Sequence, residues 1–151
     1  KEIYDSNFSL LSKSLSKELI EDTRMNLLAC DEYETIGDYQ NRIANRLFML
    51  YENSIELDEV RAKMAFKLHS LSVELFNDIS RAVRTNEKEL YPIGMKKYQA
   101  LKAYYKEVKR EHFSRAENIP ARLNTGYLDI INYYKRIADH TYNIIEYVMK
   151  I

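Results

Sequence analysis

The sequence predicts an all-α protein, folded as an up-and-down antiparallel bundle of about four long helices. Only 3 Gly and 2 Pro occur in 151 residues, which leaves few places for turns. Leu, Ile, Lys and Glu are abundant, and apolar residues recur at steps of three and four over long stretches. A chain of this length forms one domain with a substantial core. We predict a single domain over residues 14–151, preceded by a tether or the end of another helix at residues 1–13.

The first predicted helix begins at a serine cap, Ser14, and extends to about Asn53. It contains Gly37 in its middle, where glycine costs about 1 kcal/mol relative to alanine. We therefore expect a close approach at this position, either by a bound group beside Asp38 or by a neighbouring helix. The single cysteine, Cys30, is predicted to be a small buried side chain rather than a nucleophile or a metal ligand.

The second predicted helix spans about 56–85, and the third either begins near Tyr91 or kinks early at Pro92 and Gly94. We expect the third helix to end at about Glu117. The apolar stripe of the second helix consists of Val60, Met64, Leu68, Leu71, Leu75, Ile79 and Val83.

Charge is unevenly distributed along a chain whose formal net charge is zero. Residues 1–60 contain 13 acidic and 6 basic residues, whereas the remainder contains 10 acidic and 17 basic residues. The third helix alternates bases with tyrosines, a composition that also occurs in proteins binding single-stranded nucleic acid. No nucleic-acid motif accompanies it, so we predict a solvated helix face, with the acidic first helix as a partner, and no nucleic-acid binding.

The fourth predicted helix begins either at Pro120 or after Gly126, and we expect the other helices to be arranged around it. It carries a polar stripe and an apolar stripe side by side, so both have to face a neighbour. The polar stripe consists of Asp129, Asn132, Arg136, Asp139, Asn143 and Glu146. The apolar stripe consists of Ile130, Ile131, Tyr134, Ile137, Ala138, Ile144, Ile145 and Val148.

A short internal repeat links the first helix to the fourth. Residues 34–43 align with residues 135–144, so that a small residue followed by an aspartate stands between two isoleucines in both stretches. This pattern indicates either a duplication or the limited residue repertoire of bundle helices.

The two stretches resemble the paired signature of PhoU-like domains, in which a glutamate precedes Gly-Asp by three residues and an Asn-Ile-x-Glu tail follows. The resemblance extends over about residues 14–150. It is strongest to the cytosolic PhoU-like domain that follows the membrane part of bacterial sodium/phosphate cotransporter proteins. It implies a helical bundle, and acidic pairs associated with bound metal.

The resemblance maps its first acidic pair onto Glu34 and Asp38 and keeps Asp139 of the second. On a helix, Glu34 and Asp38 are one turn apart and share a face with a further candidate ligand, Asp31. Asp129 is the outer candidate on the fourth helix. Oxygen ligands suit divalent or transition ions, and the candidate ions are iron, zinc, manganese and magnesium.

Two consequences of Lys135 oppose a complete metal site on the fourth helix. Lys135 stands where the family commonly has an acid, and an ammonium beside Asp139 competes with a divalent ion for the same carboxylate. We therefore expect partial or single-site occupancy. The alternative is that these carboxylates pair with Arg42, Arg136 or tyrosine hydroxyls within the bundle.

No nucleophile motif, Gly-rich phosphate loop, Cys-x-x-Cys or Glu-x-x-His pair occurs, so we predict that the protein is not an enzyme. The resemblance implies a regulatory domain on the cytoplasmic side of the cell membrane, attached to the transmembrane part of a sodium-dependent phosphate transporter in the same polypeptide. The chain begins at Lys rather than Met, and we expect it to be cut from something longer. The alternative is a free-standing regulator or interaction module that contacts a phosphate-signalling protein.

The fourth helix also carries tyrosines beside its main apolar stripe. They predict either an exposed aromatic edge, which would favour a homodimer, or side chains that cover the neighbouring helices. These residues are Tyr127, Tyr133, Tyr142 and Tyr147.

Overall fold

The structure is a computed structural model that describes residues 17–85, 87, 89–115 and 119–149. It consists of four helices: α1 (Lys17–Glu52), α2 (Glu59–Thr85), α3 (Leu90–Ser114) and α4 (Ala121–Met149). No strand occurs in these described ranges, and the predicted all-α four-helix bundle is confirmed. The predicted tether at 1–13 and the cap at Ser14 lie outside the described residues.

The helix ends follow local capping chemistry. α1 closes with a Schellman motif: Ser54 N donates to Tyr51 O at 2.9 Å and Ile55 N donates to Leu50 O at 2.9 Å. Ser54 accordingly has a positive φ of 52°. α2 begins three residues later than predicted because its N-cap is Asp58, whose Oδ1 accepts a hydrogen bond from Arg61 N at 2.9 Å.

Proline determines where the last two helices begin. α3 begins at Leu90 with Pro92 in its first turn, where proline removes no helical hydrogen bond, so the predicted start near Tyr91 is confirmed. Its predicted end near Glu117 lies outside the described residues, and the described helix ends at Ser114. α4 begins directly after Pro120, the earlier of the two predicted starts.

α4 is the central helix, as predicted. It packs against all three other helices, α2 also packs against α3, and the backbone of α1 approaches only that of α4 among the described helices. α1 and α4 are antiparallel, since Glu32 meets Asn143 near one end of the pair and Arg46 meets Asp129 further along. Because only α4 approaches the backbone of α1, a groove lies on each side of α1.

The core has the periodicity that the sequence predicts. On α1 the buried residues that face α4 recur every seven positions, which is a two-turn step of a helix. The isoleucines of both repeat stretches are buried, and the duplication itself stays a prediction. The core residues of α1 and α4 are Ala29, Ile36, Ile43, Leu50, Tyr127, Ile130, Ile131, Ile137, Ala138, Ile144 and Ile145.

No neighbouring helix approaches Gly37, so the expected close crossing at this position is wrong. Gly37 is exposed, and a Cβ added there would meet nothing within 4 Å. The most tightly packed glycine is Gly94, where an added Cβ would lie 2.4 Å from Ile79 Cδ1 and 3.2 Å from Ile145 Cδ1. The prediction failed because a mid-helix glycine marks a close crossing only when it faces a neighbour, and Gly37 faces solvent.

The acidic first helix is not the ion-pair partner of α3. Lys97 of α3 instead pairs with two carboxylates of α2, at 2.6 Å from Asp78 and 3.6 Å from Glu74. In the described ranges no ion pair joins α1 to α3, because α4 separates their backbones. None of the four described helices is long and apolar enough to cross a membrane.

Candidate functional site

The α1–α4 interface contains a carboxylate that sequence analysis missed. Glu32 of α1 has only 12% of its side chain exposed and accepts three contacts from α4. Glu32 Oε2 lies 2.5 Å from His140 Nδ1. Glu32 Oε1 accepts hydrogen bonds from Asn143 Nδ2 at 3.0 Å and from the Tyr147 hydroxyl at 3.2 Å. We call Glu32, His140, Asn143 and Tyr147 the Glu32 cluster.

Aromatic rings extend the Glu32 cluster along the same interface. Tyr39 stacks on His140 with ring centroids 5.5 Å apart, and it also contacts Tyr133 at 5.7 Å. The Arg42 guanidinium lies 5.0 Å from the centre of the Tyr39 ring. Burial and the nearby Glu32 carboxylate together raise the pKa of the Tyr147 hydroxyl. The Tyr147 hydroxyl therefore keeps its proton more firmly, and the Glu32 cluster joins α1 to α4 through polar contacts.

Helical geometry identifies Glu32 as the acid that meets α4. Ile36 is buried against α4, and Glu32 lies one turn before it on the same face. Glu34 and Asp38 are each two positions from Ile36, which turns them by about 200° to the opposite side of the helix. This signal was present in the sequence, in the seven-residue spacing from Ala29 to Ile36.

The structure places the predicted α1 ligands on the solvent side. Glu34, Asp38 and Asp31 are all exposed. In the described part of the chain, neither Glu34 nor Asp38 has an ion pair or a side-chain hydrogen bond. They share a face, as predicted, but that face points away from α4 and from Asp139.

The α4 ligand, Asp139, is already bound by protein groups. Lys135 Nζ lies 2.5 Å from its Oδ2, and Arg136 Nη1 lies 3.9 Å from the same oxygen. The Tyr98 hydroxyl of α3 donates to Asp139 Oδ1 at 3.0 Å. The outer candidate, Asp129, pairs with Arg46 Nη2 at 2.8 Å. These contacts match the predicted competition from Lys135.

The two carboxylate pairs do not fit a shared metal ion in this arrangement. Across the described residues, no three His, Cys, Asp or Glu side chains are grouped so as to hold a metal. The acids of α1 are solvent-facing, and the aspartate of α4 is neutralised by Lys135. Ion pairing within the bundle accounts for Asp129 and Asp139, and metal binding stays a prediction.

The tyrosines of α4 cover neighbouring helices and do not form an exposed edge. Tyr127 is fully buried. Tyr142 stacks on Tyr98 of α3 with ring centroids 4.4 Å apart, Tyr133 contacts Tyr39 of α1, and Tyr147 donates to Glu32. The alternative prediction for these residues is therefore confirmed, and self-association stays a prediction with no support from them.

We expect Glu32→Ala to lower the free energy of unfolding by about 1 to 2 kcal/mol, because hydrogen bonds to a buried charged acceptor are lost. Urea unfolding followed by circular dichroism measures this. Glu34→Ala is the matched control, since Glu34 is an exposed glutamate two residues away. Equal stability of the two variants would contradict a role for the Glu32 cluster in holding α1 on α4.

We expect stability to fall between pH 10 and pH 12, partly through Tyr98. Burial, with Asp139 beside the hydroxyl, raises the pKa of Tyr98 from 10.0 to about 12. The unfolded chain therefore loses this proton first, and the stability present below pH 10 is lost as the pH rises towards 12. Unfolding curves across this range should be less pH-dependent for Tyr98→Phe than for the control Tyr51→Phe, an exposed tyrosine. An identical pH dependence would refute the assignment.

Comparison with known proteins relates the three helices that follow α1 to a known family. A family model described as PhoU domain matches residues 66–148, from early in α2 to the end of α4. The second repeat stretch, 135–144, lies inside this match and the first, 34–43, lies outside it. No curated protein and no solved structure matches the chain significantly.

Proposed function

The chain belongs to the PhoU domain family, and from this premise we propose that it is the cytosolic regulatory domain of a sodium-dependent phosphate transporter. The family match over residues 66–148 carries the proposal, because PhoU domains are phosphate-related regulators rather than catalysts. The transporter context rests on the resemblance of residues 34–43 and 135–144 to transporter-attached members. The partner is then the transmembrane part of the same polypeptide.

A regulatory domain of this kind acts through contacts, and the α1–α4 interface is a suitable place for a contact to change. α1 rests mainly on α4, and the Glu32 cluster joins the two helices through polar contacts, together with the Arg46–Asp129 ion pair. A partner that binds α1 more tightly in a displaced position would have to offset the loss of these contacts. We infer that the state of this interface is what the transporter senses.

The test uses the complete natural reading frame. We expect hydrophobic helices before this domain, and sodium-dependent uptake of radiolabelled phosphate in membrane vesicles. Deleting residues 17–149 should alter how uptake responds to the phosphate supply of the cells, while uptake itself remains. Glu32→Gln should reproduce part of that change, and Glu34→Gln, the matched control, should not.

Two outcomes would overturn the proposal. A reading frame without hydrophobic helices would replace it with a free-standing PhoU-type regulator that contacts a phosphate-signalling protein. Unchanged regulation of uptake after deletion of the domain would remove the regulatory role.

Metal binding is proposed as a separate property, centred on Asp38 with Glu34 beside it. Two exposed carboxylates make a weak site, so we expect less than one divalent ion per chain in protein purified without chelators. Asp38→Ala should reduce the metal content more than Asp139→Ala, because Lys135 already occupies the Asp139 carboxylate. Elemental analysis of both variants measures this, and a metal content unchanged in both would exclude the site.

A further inference from the structure

The groove between α1 and α3 contains a concave, basic pocket that neither the family match nor the proposed transporter role assigns. Its volume is about 380 Å³, and α4 forms its floor. Arg42, Lys135 and Arg136 line it together with Tyr39, Tyr105 and Asn132. We propose that this pocket binds a phosphoryl group, either as inorganic phosphate or as part of a nucleotide.

The charge balance of the pocket favours an anion. Asp129 is occupied by Arg46, and Asp139 is shared by Lys135 and Arg136. Arg42 has no carboxylate partner in the described part of the chain, and its guanidinium lies over the Tyr39 ring. Among the residues that line the pocket, three cations, Arg42, Lys135 and Arg136, exceed the one carboxylate, that of Asp129, by two charges, which an anionic ligand would neutralise.

The lining groups are mainly hydrogen-bond donors. Arginine presents a planar fork of N–H groups that suits phosphate oxygens, and lysine adds a point charge. The Tyr105 hydroxyl donates to Asn132 Oδ1 at 2.5 Å, which leaves the Asn132 amide N–H groups available to a ligand. The Tyr133 ring also lines the pocket, and a nucleotide base can pack against it.

On the α3 side, Tyr105 lines the pocket, and Lys109 Nζ lies 5.7 Å from the centre of the Tyr105 ring. This is the alternation of bases and tyrosines that the sequence shows on the third helix. Concave shape and limited volume favour a small phosphorylated molecule over a nucleic-acid strand.

The experiment is isothermal titration calorimetry of this chain with inorganic phosphate and, separately, with ATP. We expect millimolar or tighter binding of at least one of them, weakened by added sodium chloride. Arg42→Gln and Arg136→Gln should each weaken binding by about tenfold or more, because each removes a charge-assisted hydrogen bond. Both side chains are exposed, so circular dichroism should show an unchanged fold.

Arg24→Gln is the matched control, an exposed arginine at the other end of α1. Binding of ATP alone would assign the pocket to nucleotides, and binding of phosphate would assign it to the free ion. The proposal is overturned when neither ligand binds at millimolar concentration, or when Arg42→Gln and Arg136→Gln bind as tightly as Arg24→Gln. Regulation of transport by this anion rests on the proposed function, whereas the binding result is independent of the transporter.

Discussion

Arg61→Ala is expected to lower the free energy of unfolding by about 3 kcal/mol, because it opens a buried polar network at one end of the bundle. The Arg61 side chain is 8% exposed and forms an ion pair with Asp58. Its Nε donates to His112 Nδ1 at 3.2 Å, and its Nη2 donates to Arg115 O at 3.2 Å. His112 Nε2 lies 2.6 Å from Asn124 Oδ1. The network therefore joins α2, α3 and α4.

The alanine variant leaves the His112 ring nitrogen and the Arg115 carbonyl without their donor, and burial makes that loss costly. Urea unfolding measures the change, with Arg81→Ala as the control, since Arg81 is an exposed arginine on the same helix. A double-mutant cycle with Arg61→Met and His112→Leu should show coupling of about 1 to 3 kcal/mol, because replacing both partners removes the unsatisfied groups together. Equal stability of Arg61→Ala and Arg81→Ala would show that the network contributes nothing.

Gly94→Ala and Gly37→Ala are expected to change stability in opposite directions. At Gly94 the new methyl group would overlap Ile79, which is fully buried and cannot move aside freely, so the free energy of unfolding should fall by about 2 kcal/mol. Gly37 lies in the middle of α1, and a Cβ added there points into open space, so alanine should raise the free energy of unfolding by about 1 kcal/mol.

Thermal unfolding of the two variants and of the wild type measures both changes in the free energy of unfolding. Both changes come from the same substitution, glycine to alanine. The same chemical change at both positions means that helix propensity cancels in the comparison, and the difference of about 3 kcal/mol reports packing at Gly94. Destabilisation by Gly37→Ala would restore the rejected interpretation, in which a neighbour approaches α1 at that position.

The predicted phosphate pocket and the Glu32 cluster lie along the same pair of helices. Tyr39 belongs to both, since it stacks on His140 of the cluster and lines the pocket beside Arg42. A ligand that pulls on Arg42 therefore acts on the interface that holds α1 to α4. The contacts of Tyr39 with Arg42 and His140 therefore connect anion binding in the pocket to the position of α1 on α4.

The sequence by itself determined the helices and the faces they bury. The seven-residue spacing of Ala29, Ile36, Ile43 and Leu50 and the apolar stripe of α4 are local patterns, and the fixed rotation of about 100° per residue in a helix makes them readable without a partner. Short connections and the positions of proline then led to the four-helix arrangement, and the two adjacent stripes of α4 led to its central place.

The tertiary structure alone decided which polar groups meet. The buried face of a helix can be read from its own spacing, but which group of the facing helix an acid meets depends on how the two helices are rotated and shifted relative to each other. Glu32 therefore joins His140 and Asn143, while Glu34 and Asp38 face solvent. Distances between helices likewise arise only on packing, so Gly94 rather than Gly37 lies at the close crossing. For the same reason, only the structure shows that Tyr98 of α3 donates a hydrogen bond to Asp139, which also forms an ion pair with Lys135.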